Sequence, residues 1–293
     1  MAFDDLPPLP PIPGIGTLRP DAGDYHAFAL EESRAVATTK RTVLDLAYGP
    51  DYWQKVDLYL PDDPAARDVP VFLMLHGGGF VRGYKEWVGF QAPPITALPA
   101  IFVAVSYRLA PTVKVPVIVD DCFDALAFVW RRIGAYGGNR DRIFVGGHSA
   151  GAIIAAYMAL RREGSLIRGM PSDVIKGCFP VAGVYNLDPT WLPRETVLAT
   201  VFPQLFERAA DGLAYSPINH VAGNTTPFFV SWGDRDTPYV IASSEALVAA
   251  LVREDARVER HVWRGFGHFE AHKALAHAND PWVATLKAWM TAA

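Results

Sequence analysis

Hydrophobic and polar positions change rhythm along this chain, and each change predicts an element. Polar and apolar residues alternate over RTVLDLAYG (41–49) and QKVDLYLP (54–61). A period of two buries one face, so both segments read as half-buried strands, paired as an antiparallel hairpin at a sheet edge. VPVFLMLH (69–76) and AIFVAVSY (100–107) are almost continuously apolar, as strands covered on both faces must be. An apolar stripe at helical spacing runs through 115–137 and ends at a glycine pair. DRIFVGG (141–147) is the next buried strand, 150–164 reads as a helix stopped by Gly164, and 175–183 is a further strand. Strand 226–233, helix 239–252, strand 256–263 and a closing helix over 279–291 follow.

Strand and helix thus alternate from residue 69 onward. That order calls for an α/β fold with a mostly parallel sheet and helices on both faces. The interval 184–225 is too long for a simple crossover and contains short apolar-periodic pieces, clearest at 196–209, so it reads as a small lid. Residues 1–40 form a separate leading stretch before the domain at 41–293. Its first part, with PPLPPIP, reads as an extended arm on the body; HAFALEESRAVA (26–37) reads as a helix near the site entrance.

Composition narrows the class. The chain has 293 residues, 51% of them hydrophobic, which suits one well-buried domain and excludes wholesale disorder. A formal charge of -4 with interspersed signs leaves no basic footprint for nucleic acid. Cys122 and Cys178 lie in apolar surroundings outside any CxxC pair, so both read as buried free thiols. The first residues lack a secretory signal pattern, and no apolar run reaches the ~18 residues of a membrane span. The expectation is a soluble, cytoplasmic protein with a small-molecule substrate and no membrane partner. A homodimer is common for this size and class.

Three segments carry candidate chemistry. GHSAG (147–151) fits the G-x-S-x-G pattern between a buried strand and a helix. A sharp turn there would raise Ser149 Oγ above the sheet, with Gly147 and Gly151 leaving room for it. HGGGF (76–80) follows another buried strand, and its glycines allow a close approach to ligand. The amides of Gly78 and Gly79, with that of Ala150 at a helix start, are candidate oxyanion donors, while Gly77 shapes the turn. His76 reads as a structural residue that fixes the loop. Asp234 and Asp236, in SWGDRDTP (231–238), lie at a strand's carboxyl end, and either could orient a histidine. His268, in RGFGHFE (264–270), is the candidate base in a glycine-bearing loop, completing the chain order Ser, Asp, His. His26, His148, His220, His261, His272 and His277 read as structural or surface residues, and Glu270 as part of a surface or structural ion pair. HExxH and HxxEH spacings are missing, so neither metal nor cofactor is expected.

With these motifs in view, the chain resembles the α/β-hydrolase superfamily over about residues 40–290. HGGG with GHSAG, and SYRLAP (106–111), are similar to the esterases and lipases related to hormone-sensitive lipase. YGPDYWQKVDLYLP, AGVYNLDP, YSPINHV and GHFE are similar to the neighbouring arylformamidases, kynurenine formamidase among them. The resemblance implies Asp236 as the triad acid, with Asp234 the alternative, and carries Gly78, Gly79 and Ala150 over as oxyanion donors. Two departures stand out: DRDTPYV replaces a DPLxDE-type segment, and HGGGF replaces HGGxW. The implied activity is a carboxylesterase acting through a Ser149 acyl-enzyme on small or medium, including aromatic, esters. An arylformamidase or other amide or carbamate hydrolase is the alternative; a non-catalytic ligand-binding relative and an interaction protein built on the proline arm rank below. Phe80, Tyr84, Trp87, Trp191, Phe202, Phe206 and Phe266 are the aromatic candidates for the mouth of the site.

Overall fold

The computed structural model describes residues 8–11 and 19–292. Eight strands among them join in one sheet: β1 Thr42–Ala47, β2 Lys55–Tyr59, β3 Val69–Leu75, β4 Ile101–Val105, β5 Gly138–His148, β6 Ile175–Val181, β7 Phe228–Gly233 and β8 Val258–Trp263. Their spatial order is β1-β2-β4-β3-β5-β6-β7-β8. The alternating segments form the expected edge hairpin: β1 pairs antiparallel with β2, which pairs antiparallel with β4. From β4 across to β8 every pairing is parallel. β3 and β4 are buried at every residue, as their unbroken apolar runs require.

The helices in chain order are α1 Ala22–Thr39, α2 Ala92–Thr96, α3 Val115–Arg132, α4 Ala150–Leu160, α5 Glu163–Ile167, α6 Val197–Leu205, α7 Pro238–Arg253, α8 His268–Ala274 and α9 Pro281–Ala292. In α3, Val115, Ile118, Val119, Cys122, Leu126 and Val129 make one buried stripe at spacings of three and four. A short 3-10 turn over 133–136 extends it to Gly137, whose φ of 89° lets the chain reverse. Every residue of α4 is buried, because it packs directly against the sheet beneath its own entry turn. Cys122 and Cys178 are buried free thiols. No described helix is long and apolar enough to cross a membrane.

The structure corrects three local expectations. The helix after GHSAG ends at Leu160, before Gly164; α5 follows it. Gly164 serves close packing instead, since an added Cβ would lie 2.4 Å from the Phe123 ring. The segment after β8 is a helix from His268 on, where the glycines predict a loop. Glu270 signals its start: the carboxylate accepts the Gly267 amide at 3.0 Å and caps the helix; Glu270 is exposed and makes a cap rather than an ion pair. Within the interval 184–225, the apolar-periodic piece at 196–209 forms α6, started by Thr196 Oγ1 accepting the Ala199 amide, and 3-10 turns over 209–215 and 217–220 follow.

The described parts of the leading stretch lie on the body. Among its described residues, the carbonyl of Pro10 accepts the Tyr84 hydroxyl, and Tyr84 stacks on Trp53 at 5.7 Å. Residues 1–7 and 12–18 of the proline-rich arm fall outside the described residues. Helix α1 packs with Tyr25 and Ala29 against Tyr84, Trp87 and Phe90.

Candidate active site

The strand-to-helix turn between β5 and α4 is tight enough to strain its central residue. Ser149 has φ 56° and ψ -116°, a region that a residue with a Cβ occupies only when its surroundings hold it there. Its amide donates to Val181 O on β6 at 2.9 Å, anchoring the turn to the sheet. The flanking glycines are required sterically. A Cβ on Gly147 would lie 2.2 Å from the Gly151 backbone, and one on Gly151 would lie 2.2 Å from Leu75 O on β3. Strand, turn and helix can therefore approach only with glycine at both positions.

Beside this turn, the HGGGF segment leaves β3 with Gly78 at φ 114° and Gly79 at φ 64°. The amides of Gly78, Gly79 and Ala150 have no acceptor among the described residues, and all three residues line the same cavity as Ser149. Gly77 also lines it, and a Cβ there would sit 3.2 Å from Ser149 Cβ. His76 has the structural place expected for it. It is fully buried, its Nδ1–H donates to Gly77 O at 2.7 Å, and it stacks on Tyr107 at 4.2 Å. Burial pushes its imidazole down to about 4, so it stays neutral at neutral pH.

The two aspartates after β7 separate cleanly. Asp234 is exposed and accepts the Gly265 amide at 2.6 Å, tying together the loops after β7 and β8. Asp236 is buried, and its Oδ2 accepts from His268 Nδ1 at 2.7 Å. Its Oδ1 accepts the Thr237 amide at 2.6 Å. Burial alone would raise the Asp236 carboxyl; the neighbouring His268, its hydrogen bond, the Thr237 amide and Arg19 outweigh that and hold it below the usual carboxylate range. With Nδ1 so engaged, Nε2 is the nitrogen left for the cavity that His268 lines with Ser149.

Further residues around His268 carried no signal of their own in the sequence. His148 Nε2–H donates to His268 O at 3.1 Å, and the His148 ring stacks on His272 at 4.1 Å. The Tyr25 hydroxyl from α1 is hydrogen-bonded to His272 Nδ1 at 2.7 Å and donates to Trp87 O at 3.3 Å. Both His148 and His272 are driven well below the ordinary imidazole range, by burial first and neighbouring imidazoles second. They form a neutral, packed backing to His268.

The cavity encloses about 890 Å³, open solvent at its mouth included. Of the aromatic candidates, Phe80 and Trp87 line it. Tyr84 lines an adjacent groove, Phe202 and Phe206 line another, and Trp191 and Phe266 line neither of these nor the cavity. Tyr25, Tyr239 and Phe269 supply aromatic surface instead, and Val184, Val197 and Leu198 come from the 184–225 interval. Arg19 and Arg82 also reach it. Among the described residues no cluster of His, Cys, Asp or Glu could hold a metal ion. Such a site presents a hydroxyl, a carboxylate-held imidazole and free amides to one apolar space, a set suited to attack on a carbonyl.

Residues 72–272 match the family described as the alpha/beta hydrolase fold, and the chain belongs to that family. It is 34% identical over 166 residues to kynurenine formamidase of Danio rerio, a match covering 56% of this chain and 54% of that protein. It is 31% identical over 232 residues to esterase LipQ of Mycobacterium tuberculosis, covering 71% of this chain and 52% of the other. The matches span 38% to 58% of the length of the first curated relatives. Among solved structures, a hyperthermophilic esterase from the archaeon Pyrobaculum calidifontis superposes with TM-score 0.73 at 23% identity, covering 96% of this chain and 94% of that one, which is a likeness of fold.

Proposed function

We propose that this protein is a serine carboxylesterase acting on small or medium esters. The observation that carries the reading is the strained Ser149 turn, which lines one cavity with an imidazole anchored by a buried carboxylate. In the proposed reaction, His268 Nε2 takes the proton of Ser149 Oγ as the oxygen attacks the ester carbonyl. Negative charge develops on the carbonyl oxygen, where the amides of Gly78, Gly79 and Ala150 would receive it. The imidazolium that forms is stabilised by Asp236 and returns its proton to the departing alcohol. Water, activated by His268, then attacks the acyl-enzyme and releases the acid. Apolar lining from Phe80, Trp87, Ile153 and Leu198 favours an uncharged acyl or aryl group at the reacting end of the substrate. In this reading the 184–225 interval is a lid, supported by the three side chains it contributes to the cavity wall.

A second reading, hydrolysis of an aryl formamide, is favoured by the 34% identity to a kynurenine formamidase. The same nucleophile and oxyanion donors would serve either bond. Rates on 4-nitrophenyl butyrate and on N-formyl aryl amides rank the two: faster formamide turnover with feeble ester activity puts the formamidase first. For both, Ser149→Ala should lower kcat/KM by about a thousandfold or more, and remove labelling by a fluorophosphonate. Undiminished labelling in that variant sinks the assignment.

A further inference from the structure

Two arginines reach the cavity, and their surroundings differ. Arg19 is engaged: it donates twice to Asp21, both at 3.1 Å, lies 3.9 Å from Asp236 Oδ1 and covers the Phe269 ring at 5.0 Å. Arg82 is half-buried, and its guanidinium has no hydrogen bond, ion pair or ring contact among the described residues. Its backbone packs against the oxyanion segment, since a Cβ on Gly78 would meet Arg82 O at 2.2 Å. Burial lowers the Arg82 pKa from its ordinary value with no anion to offset it. No aspartate or glutamate is among the residues lining the cavity.

We propose that Arg82 selects substrates bearing a carboxylate, so that the substrate class is an ester or amide that also carries a free monoanionic group. The argument rests on the serine-hydrolase reading above. A partly desolvated guanidinium without a partner gains most from a charge-assisted, two-pronged hydrogen bond with a carboxylate. The pairing argues for a monoanion: Arg19 is already held by Asp21 and lies near Asp236, so Arg82 is the cavity arginine without a carboxylate partner among the described residues, and one guanidinium matches one carboxylate. A dianionic phosphate would call for a second uncommitted cation. Arg82 lines the same cavity as Ser149, so an anion it holds would share that cavity with the carbonyl under attack, which makes Arg82 a specificity residue rather than a catalytic one.

The test compares matched charged and neutral substrates: mono-4-nitrophenyl adipate against 4-nitrophenyl hexanoate, and 4-acetoxybenzoate against its methyl ester. The readout is the charged-to-neutral ratio of kcat/KM, after subtraction of uncatalysed hydrolysis. In the wild type this ratio should exceed one in at least one pair. Arg82→Gln should lower it by about tenfold or more, and Arg82→Lys should keep most of it. A wild-type ratio below one in both pairs overturns the proposal, whether or not the variants fold. So does a ratio that Arg82→Gln leaves within about twofold in both pairs. If instead Ser149→Ala still turns over every substrate, the underlying reading has failed. Ser149-dependent turnover whose charge preference ignores Arg82 defeats this proposal alone.

Discussion

Two clusters of buried charge in this molecule are built differently. One is the Asp236–His268 pair, in which a single carboxylate faces a single imidazole that lines an open cavity. The other is sealed. Lys85 Nζ lies 3.0 Å from Asp57 Oδ2, 2.5 Å from Glu86 Oε1 and 2.9 Å from Asp45 Oδ1, with Lys55 bonded to Asp45 at 2.6 Å. Lys85, Glu86 and Asp57 are all buried, and none of the five residues lines the cavity. Lys85 thereby ties its turn to both strands of the hairpin; Asp57 also accepts the Asp45 amide at 2.7 Å, joining β1 to β2, and the Lys85 amide donates to Ser106 Oγ at 2.8 Å. Buried charge alone therefore does not mark a reactive site. Access to a cavity distinguishes the first cluster; a cluster saturated by its own partners serves as a fastening.

Four substitutions probe that contrast, in falling order of expected effect. Asp236→Asn should cost about 10³ to 10⁴ in kcat, because an amide no longer holds His268 in its working tautomer; the thermal midpoint should move little, and steady-state kinetics beside a melting curve reads both. Lys85→Met should do the reverse. Removing the ammonium strands several buried carboxylates, so a loss of about 3–5 kcal/mol in urea unfolding is expected, with kcat per folded molecule within a few-fold of wild type.

Asp57 offers a pH test. Burial raises its carboxyl to about 6, despite the opposing pull of Lys85, with Glu86 raising it further. A carboxyl raised on folding binds its proton more tightly in the native state than in the unfolded one. Its contribution to stability is thus present below the unfolded value near 3.8 and is lost as pH rises through about 6. The stability of wild type relative to Asp57→Asn should fall between pH 4 and 6.5, by at most about 1.4 kcal/mol per pH unit. A flat difference across that range refutes this account. The smallest effect belongs to Asp234→Asn, which keeps an acceptor for the Gly265 amide; kcat should stay within about threefold of wild type, against the large loss at Asp236. An equal loss at both positions would mean that burial against His268 does not single out the working carboxylate.

Legibility in the sequence followed the range of the interaction. Near-continuous apolar runs at 69–76 and 100–107 marked β3 and β4 because a strand covered on both faces admits little else. GHSAG was legible because the tight turn allows only glycine at 147 and 151. The start of α8 had a local signal in Glu270, three residues after Gly267, but the glycines around it read as loop. His148, His272 and Tyr25 left no such trace: they come from three separate segments and meet only when α1 and α8 pack against the turn after β5. The Lys85 cluster was equally silent, since its residues come from β1, β2 and the turn at 85–86 and meet only in the fold.

What the chain determined by itself was therefore the α/β alternation, the edge hairpin and the positions of Ser149, the two aspartates and His268, each written in spacing within one short segment. Tertiary structure decided how those residues are placed. It buried Asp236 against His268 and left Asp234 at the surface, it engaged Arg19 and left Arg82 without a partner among the described residues, and it chose Phe80 and Trp87 over Phe202 and Phe206 for the cavity wall. The physical reason is that backbone turns and strand burial depend on neighbours along the chain, whereas desolvation and charge pairing depend on neighbours in space.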